Sequence, residues 1–330
     1  MNDNKLYKKL PCPRRGKRYV NPHLDHHFRN LWDVILWQIG IYNDKAPPPD
    51  RPRDFVYPNP VETLDESRPQ VTWIGHSAFC IRFENRVFLT DPIFEKRCSP
   101  FKFAGPHRLH PPPMQLEDIE TVDVVLISHN HYDHLERQTV RKIREKFPDA
   151  LWVVPSGLSK WFKRHKISNV IELAWWEEAK LPFKESLKVT ATPAQHFSGR
   201  GLFDKMKTLW CGFVVESADK SFYFVGDTGY NGIDFKRIGQ VFGGFDLSLI
   251  PIGTYVPHKF MGPVHINPAC AVKIHQEVAS KLSIGMHWYT FRLSSEKRMQ
   301  PPYDLYLSMR EANLPPEEFR ALMPGQTINF

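Results

Sequence analysis

Four metal-capable side chains fall within six consecutive positions of this chain, in the run His129-Asn130-His131-Tyr132-Asp133-His134. Such a cluster demands a fold that can gather its neutral imidazoles and carboxylate around a cation. The spacing is H-x-H-x-D-H, not the helical H-E-x-x-H of many zinc hydrolases. It follows the apolar run Val122 to Ile127, which reads as a buried strand. It precedes a pattern with Val140, Ile143 and Phe147 on one helical face. The ligands therefore belong to a strand-to-helix turn. In an extended turn, residues two apart point the same way, so His129 and His131 face one ion while Asp133 and His134 face another.

Beyond residue 60 the chain reads as short β-runs alternating with loops and a few helices. Val71–Ile74, Ala78–Phe83 and Arg86–Thr90 form an expected meander. Further runs are Leu151–Val154, Leu187–Ala191, Cys211–Glu216, Ser221–Val225, Leu247–Ile250 and Ser283–Met286. Helical patterns fall near 136–147, 157–165, 268–279 and 303–312. This mixture suits an α/β protein built as a four-layered αβ/βα sandwich, two sheets with helices outside, better than a doubly wound sheet. No G-x-G-x-x-G or P-loop is present, and Ser77, Ser128 and Ser156 lack a G-x-S-x-G setting.

Three further candidates sit where apolar runs end: His196, Asp227 after Gly226, and His287 directly after Met286. Each alone has a plainer explanation, as a loop histidine, an Asx-turn or a strand end. With the opening motif they compose two sites. His129, His131 and His196 supply three nitrogens to one ion; Asp133, His134 and His287 serve the other; Asp227 bridges. Paired ions clamp attacking and leaving oxygens and lower the pKa of water to about 7, which favours hydrolysis over a structural metal role. Asp133 then serves to orient the nucleophile as well as to bind metal.

In this order of ligands the chain resembles the metallo-β-lactamase-fold hydrolases. Within them, Leu126–Leu135, Val170–Glu178, Gly226–Tyr230 and Pro251–Tyr255 resemble the N-acylphosphatidylethanolamine-hydrolysing phospholipase D branch, with Tyr19-Val20-Asn21-Pro22 echoing it earlier. The resemblance implies the sandwich fold, two zinc ions, a phosphodiester lipid substrate and a homodimer. Manganese or iron would suit the same donors. His265 matches a histidine near the substrate in that branch and is the second catalytic candidate beside Asp133. The preceding Val264 departs from an expected glutamine. The same site on another substrate would be a lactonase or an RNA-cleaving nuclease. A non-catalytic membrane- or partner-binding protein is the alternative of another class.

The remaining features set the context. Net charge is +8, and residues 1–53 hold 11 Lys/Arg against 5 acids. A basic arm of this kind suits phospholipid head groups, nucleic acid being the less favoured partner; the plain reading is a solvated tail. Residues 28–42 place Phe28, Leu31, Trp32, Ile35, Ile39 and Tyr42 on one helical face. That face is expected to dock on the protein body, with peripheral membrane contact as the alternative. Residues 44–60 are proline-rich, so the expected organisation is an extension over 1–60 and a catalytic domain over 61–330. The five cysteines lack a C-x-x-C pair, no apolar leader opens the chain, and a cytoplasmic location, at the inner face of a membrane if the helix is interfacial, is expected. His76 reads as a turn histidine outside the ligand set, Trp175-Trp176 as core, and the loop with His107, Arg108 and His110 as either a charged pocket rim or a rigid crossing.

Overall fold

Alternation along the strands decides how this chain is layered. The computed structural model describes residues 12–24, 63–101, 103–201 and 203–330. The expected helix over 28–42, the connector over 44–60 and the boundary at 60/61 lie outside those residues.

A short hairpin of β1 (Arg14–Arg15) and β2 (Arg18–Tyr19) comes first. The antiparallel meander follows as β3 (Gln70–Gly75), β4 (Ala78–Phe83) and β5 (Arg86–Thr90). Parallel strands β6 (Val124–Leu126), β7 (Leu151–Pro155) and β8 (Val170–Leu173) extend this sheet, with α1 (Arg137–Lys146) and α2 (Ser159–Arg164) as crossovers. The second sheet takes β9 (Glu178–Lys180), β10 (Lys188–Thr192), β11 (Gly212–Glu216) and β12 (Ser221–Phe224) antiparallel. After α3 (Asp234–Phe242) it adds β13 (Phe245–Pro251) in parallel. Then come α4 (His258–Met261), α5 (Pro268–Glu277), β14 (Ser280–Met286), α6 (Gln300–Glu311) and the short β15 (Phe319–Arg320) and β16 (Thr327–Asn329). The two large sheets have seven strands each, ordered β16-β3-β4-β5-β6-β7-β8 and β15-β14-β13-β12-β11-β10-β9.

Strand side chains alternate between faces, so on β6 Val124 and Leu126 enter the core between the sheets while Val125 turns outward to pack with Val140, Ile143 and Phe162 of the helices. Both faces are covered, which is why these strands read as unbroken apolar runs. Phe83 and Phe88 of one sheet meet Phe222 of the other edge-on, with ring centroids 5.3 and 5.4 Å apart. Such pairs contribute about 0.5–1.5 kcal/mol each beyond the area they bury. Trp175 and Trp176 are buried, and the Trp175 indole N–H donates to the Trp210 carbonyl, so both belong to the core.

Several boundaries differ from expectation. The run Val122–Ile127 is a regular strand only over Val124–Leu126, although Asp123 and Ile127 still donate to the Val87 and Val153 carbonyls on either side. Helix α3 was not anticipated: it lacks a side-chain N-cap and carries Gly239 in its interior. The glycine has a tertiary reason, since a Cβ there would lie 2.0 Å from the carbonyl oxygen of Glu277 at the end of α5. Local propensity favours Gly239→Ala by about 0.5–1 kcal/mol. We expect the clash to reverse the sign, giving a net loss of about 1–3 kcal/mol. Urea denaturation checks this, and an unchanged or raised midpoint would contradict the close approach of α3 and α5.

Candidate metal centre

The site lies where strands from both sheets end together. Strand β6 runs into His129, β10 into His196, β12 through Gly226 into Asp227, and β14 directly into His287. Gly226 holds a positive φ of 68°, and a Cβ there would come 2.9 Å from the Cys211 carbonyl. That close approach, added to the positive φ, is what calls for glycine at the turn that delivers Asp227. Non-glycine residues take the same left-handed region at His76 (57°), Asp91 (33°) and His287 (63°). Strain of this kind persists where surrounding contacts over-determine it. Here a hydrogen bond from His287 N–H to the His76 carbonyl, 3.0 Å, ties two of those turns together.

The seven sequence-derived ligand candidates converge. His129 Nε2 lies 2.8 Å from His131 Nδ1, which lies 3.2 Å from His196 Nε2. Asp133 Oδ2 lies 3.2 Å from His134 Nε2 and 3.5 Å from His287 Nε2. Asp227 Oδ2 stands between the two groups, 3.0 Å from His287, 3.2 Å from His134 and 3.7 Å from His196. Catalytic candidate His265 joins from the loop after α4, its Nδ1 3.9 Å from Asp227 Oδ2.

Two members of the cluster escaped the sequence reading. His76, set aside as a turn histidine, is buried with Nε2 2.9 Å from Asp133 Oδ2, inside the cluster. Its signal was the Gly75-His76-Ser77 turn between two strands. Asp91, immediately after β5, is fully buried and orients the donors: Oδ1 accepts from Ser128 N–H at 2.7 Å, and Oδ2 accepts from Ser128 Oγ and from His134 Nδ1 at 2.5 and 2.6 Å. Its signal was an acid at a strand end, the feature that marked Asp227. The loop arginine behaves differently from a charged rim. Arg108 is buried, gives Nε and Nη2 to the carbonyls of Glu95 and Ile93, and lies 5.2 Å from the Phe291 ring centre, so it braces its loop.

Hydrogen bonds around the cluster fix which ring nitrogens face inward. His134 Nδ1 donates to Asp91, leaving Nε2 as the ring atom that faces the cluster. His196 Nδ1 donates to the Val264 carbonyl at 2.9 Å, leaving its Nε2 a lone pair. Ser128 Oγ gives its proton to Asp91, so it accepts from His129 Nδ1 at 2.9 Å and frees His129 Nε2. Position 264 acts here through its main chain, so valine serves. The inward Nε2 atoms of His134 and His287, His265 Nδ1 and Asp227 Oδ1 are buried without a hydrogen-bond partner. His131 Nδ1 can donate to only one of its two neighbours, so at least one pair of lone pairs meets at 2.8–3.2 Å unless a cation takes them up, and nitrogens about 2.0 Å from one tetrahedral ion sit roughly 3.3 Å apart. These donors fit divalent metal ions.

The electrostatics set His134 and His287 apart from the other donors: the carboxylates favour a second proton on each ring, which a divalent ion would have to displace. Burial opposes charge on His134, yet Asp227, Asp133 and Asp91 push its pKa well above the ordinary histidine value. Burial likewise opposes charge on His287, but Asp227 and Asp133 raise it to about 9. The pocket favours positive charge at this end. Burial and the neighbouring rings hold His129 well below its usual value, and burial lowers His131 to about 4, so both are neutral donors at neutral pH. Asp227 and Asp133 are ionised: burial opposes this, but the surrounding histidines hold both well below the usual carboxylate range.

Two sheets with a buried histidine–carboxylate centre at their shared edge define a metal-dependent hydrolase of the metallo-β-lactamase fold. Comparison with known proteins agrees: the Beta-lactamase superfamily domain matches residues 86–288. A Caenorhabditis elegans protein named N-acyl-phosphatidylethanolamine-hydrolyzing phospholipase D 1 is 35% identical over 327 residues, covering 94% of this chain and 90% of its own. The mitochondrial protein of that name from Saccharomyces cerevisiae is 37% identical over 249 residues, 74% of this chain and 53% of its own. The solved structure of a metallo hydrolase from Ignicoccus hospitalis shares the fold with a TM-score of 0.58 at 22% identity, over 79% of this chain and 98% of that one. The chain belongs to the N-acylphosphatidylethanolamine-hydrolysing phospholipase D family of the β-lactamase superfamily. Among the described residues no helix is long and apolar enough to cross a membrane.

The orienting role of Asp91 gives a direct test. Asp91→Asn keeps the shape but replaces an oxygen acceptor, and it should weaken metal binding about 10- to 100-fold in competition with a chromophoric chelator. Undiminished affinity would remove Asp91 from the site.

Proposed function

We propose that this protein is a phospholipase D-type phosphodiesterase with two zinc ions, held by His129, His131 and His196 on one side and Asp133, His134 and His287 on the other, with Asp227 between. Its substrate is N-acylphosphatidylethanolamine or a related lipid. The observation that carries this reading is the identity of 35% to a phospholipase of that name across 94% of the chain. The seven proposed ligands, from His129 to His287, all fall within that span.

Divalent ions bound there supply Lewis acidity toward the phosphate oxygens and lower the pKa of water. The protein's own groups do the rest. Asp133 is the more open of the two carboxylates, with a side chain 16% exposed against 2% for Asp227, so it is the one able to accept a hydrogen bond from an incoming water. The water oxygen adds to phosphorus and gives up a proton, the bond from phosphorus to the ethanolamine oxygen breaks, and that oxygen takes up a proton in balance with the one the water lost. N-acylethanolamine and phosphatidate result. Burial, partly offset by Asp227, holds His265 at about 4, so it meets the substrate as a neutral imidazole. It hydrogen-bonds the phosphate or leaving oxygen and is not a standing proton donor.

A cavity of about 380 Å3 borders the centre at His287 and Thr254. Leu109, Trp288, Phe291 and Leu293 line it together with Arg292 and Arg298. Apolar walls beside cations suit a lipid, whose chain needs the former and whose phosphate the latter. A phosphorylated lactone has no use for so long an apolar wall.

Purified protein should release N-acylethanolamine from vesicles containing N-acylphosphatidylethanolamine. Asp227→Asn should lower kcat on the order of 10^3-fold or more, with loss of metal measured on the same sample. Turnover of RNA or a lactone in place of the lipid, or full activity in Asp227→Asn, would sink the reading. Leu293→Asp places a charge on the cavity wall and should raise KM for long-chain substrate about 10-fold while leaving a short-chain diester unaffected, since burying one such side chain is worth about 1.5–3 kcal/mol. Equal effects on both substrates would remove the cavity from chain binding.

A further inference from the structure

The hairpin β1–β2 runs directly into Asn21, far in sequence from every ligand. Tyr19 is buried in the core, and its N–H donates to the Met206 carbonyl at 2.8 Å. Asn21, only 6% exposed, donates from Nδ2 to the main-chain carbonyl of His196 at 2.7 Å across 175 positions of sequence. The amide orientation follows from its partner, because turning it over would set Asn21 Oδ1 against another acceptor.

The loop carrying His196 is held from three sides. Gln195 N–H donates to Thr228 Oγ1 at 2.9 Å, and Gln195 Nε2 donates to the Pro263 carbonyl at 3.0 Å. The His196 ring is fixed by Val264, as above, and Ser198 Oγ donates to the Thr208 carbonyl at 2.6 Å. The carbonyl of His196 itself takes its hydrogen bond, among the described residues, from Asn21. A buried carbonyl with no donor is disfavoured, so losing Asn21 would turn this peptide toward water and carry the His196 Cα with it.

We propose that Asn21 is a positioning residue of the metal centre, and that the segment 12–24 is a strap whose docking sets the geometry at the His129, His131 and His196 end. The inference rests on the reading of the cluster as a metal centre. Loosening the strap weakens one ion and leaves the other, because the Asp133, His134 and His287 end is anchored through Asp91, His76 and Thr254.

The test uses the full chain and Co2+ as probe, read by visible absorption and by the two binding steps. Wild type is compared with Asn21→Asp, which is nearly isosteric and lacks the donor, and with Asn21→Ala and His23→Ala. His23 lies on the same strap but pairs with Asp234, 3.5 Å away. Near-UV circular dichroism checks folding, and Asn21→Asp decides the matter if Asn21→Ala does not fold. We expect both Asn21 variants to weaken one Co2+ step about 10-fold and shift its absorption bands, while the other step and His23→Ala stay as wild type. Asn21 variants that titrate like wild type would overturn the proposal, and a His23→Ala variant with the same change would overturn the assignment of the positioning role to Asn21 in particular. Wild-type protein that takes up no Co2+ would overturn the metal reading beneath it, a result separable from the first because it appears without any substitution.

Discussion

The structure turns on one carboxylate oxygen, Asp227 Oδ2, faced by the inward nitrogens of His287, His134 and His196 at 3.0, 3.2 and 3.7 Å. Removing ionised carboxylates from water costs several kcal/mol each unless positive charge and hydrogen bonds compensate. Despite burial, the carboxylates raise His134 and His287, which supply part of that compensation, whereas burial keeps His129, His131 and His196 neutral. A bound cation resolves the conflict: it neutralises Asp227 and Asp133 and takes up the nitrogen lone pairs together.

Everything around the centre serves to keep those lone pairs aimed. Asp91 fixes His134 directly and His129 through Ser128, the Val264 carbonyl fixes His196, and Thr254 Oγ1 lies 3.1 Å from His287 Nδ1. The outer nitrogens are thus engaged by groups from β5, β6, the loop after α4 and the loop after β13, drawn from both sheets. Rigid strand ends make this precise in a way that a single mobile loop would not. The strained turns at His76, Asp91 and His287 are the local cost, held in place by hydrogen bonds that cross between the sheets.

Much of this was legible in the residues. The H-x-H-x-D-H run and the apolar stretches ending at His196, Asp227 and His287 carry their meaning locally: unusual donor density in one case, a polar residue at an abrupt strand end in the other. The meander and the central strands of both sheets were legible for the same reason, since their apolar runs have strand length and clear turn signals, whereas the edge strands β8, β9, β15 and β16 were missed because they are short and only partly buried. His76, Asp91 and Asn21 were not, because each looks like an ordinary turn or tail residue until its partner arrives. Helix α3 was missed because Gly239 lowers its propensity, while the cause of that glycine, the carbonyl of Glu277, lies on another helix.

By itself the sequence determined the donor chemistry and the order in which donors leave successive strands, hence the class of ion they can hold. It also determined the layering, because period-two alternation and fully apolar runs demand two sheets covered by helices. Tertiary structure alone decided which nitrogen of each histidine points inward, that Asp91 accepts from both His134 and Ser128, and that an N-terminal segment reaches the His196 loop. The physical reason is that a side chain carries its chemistry wherever it sits, whereas its tautomer, charge and direction are set by hydrogen-bond partners that only folding brings within 3 Å.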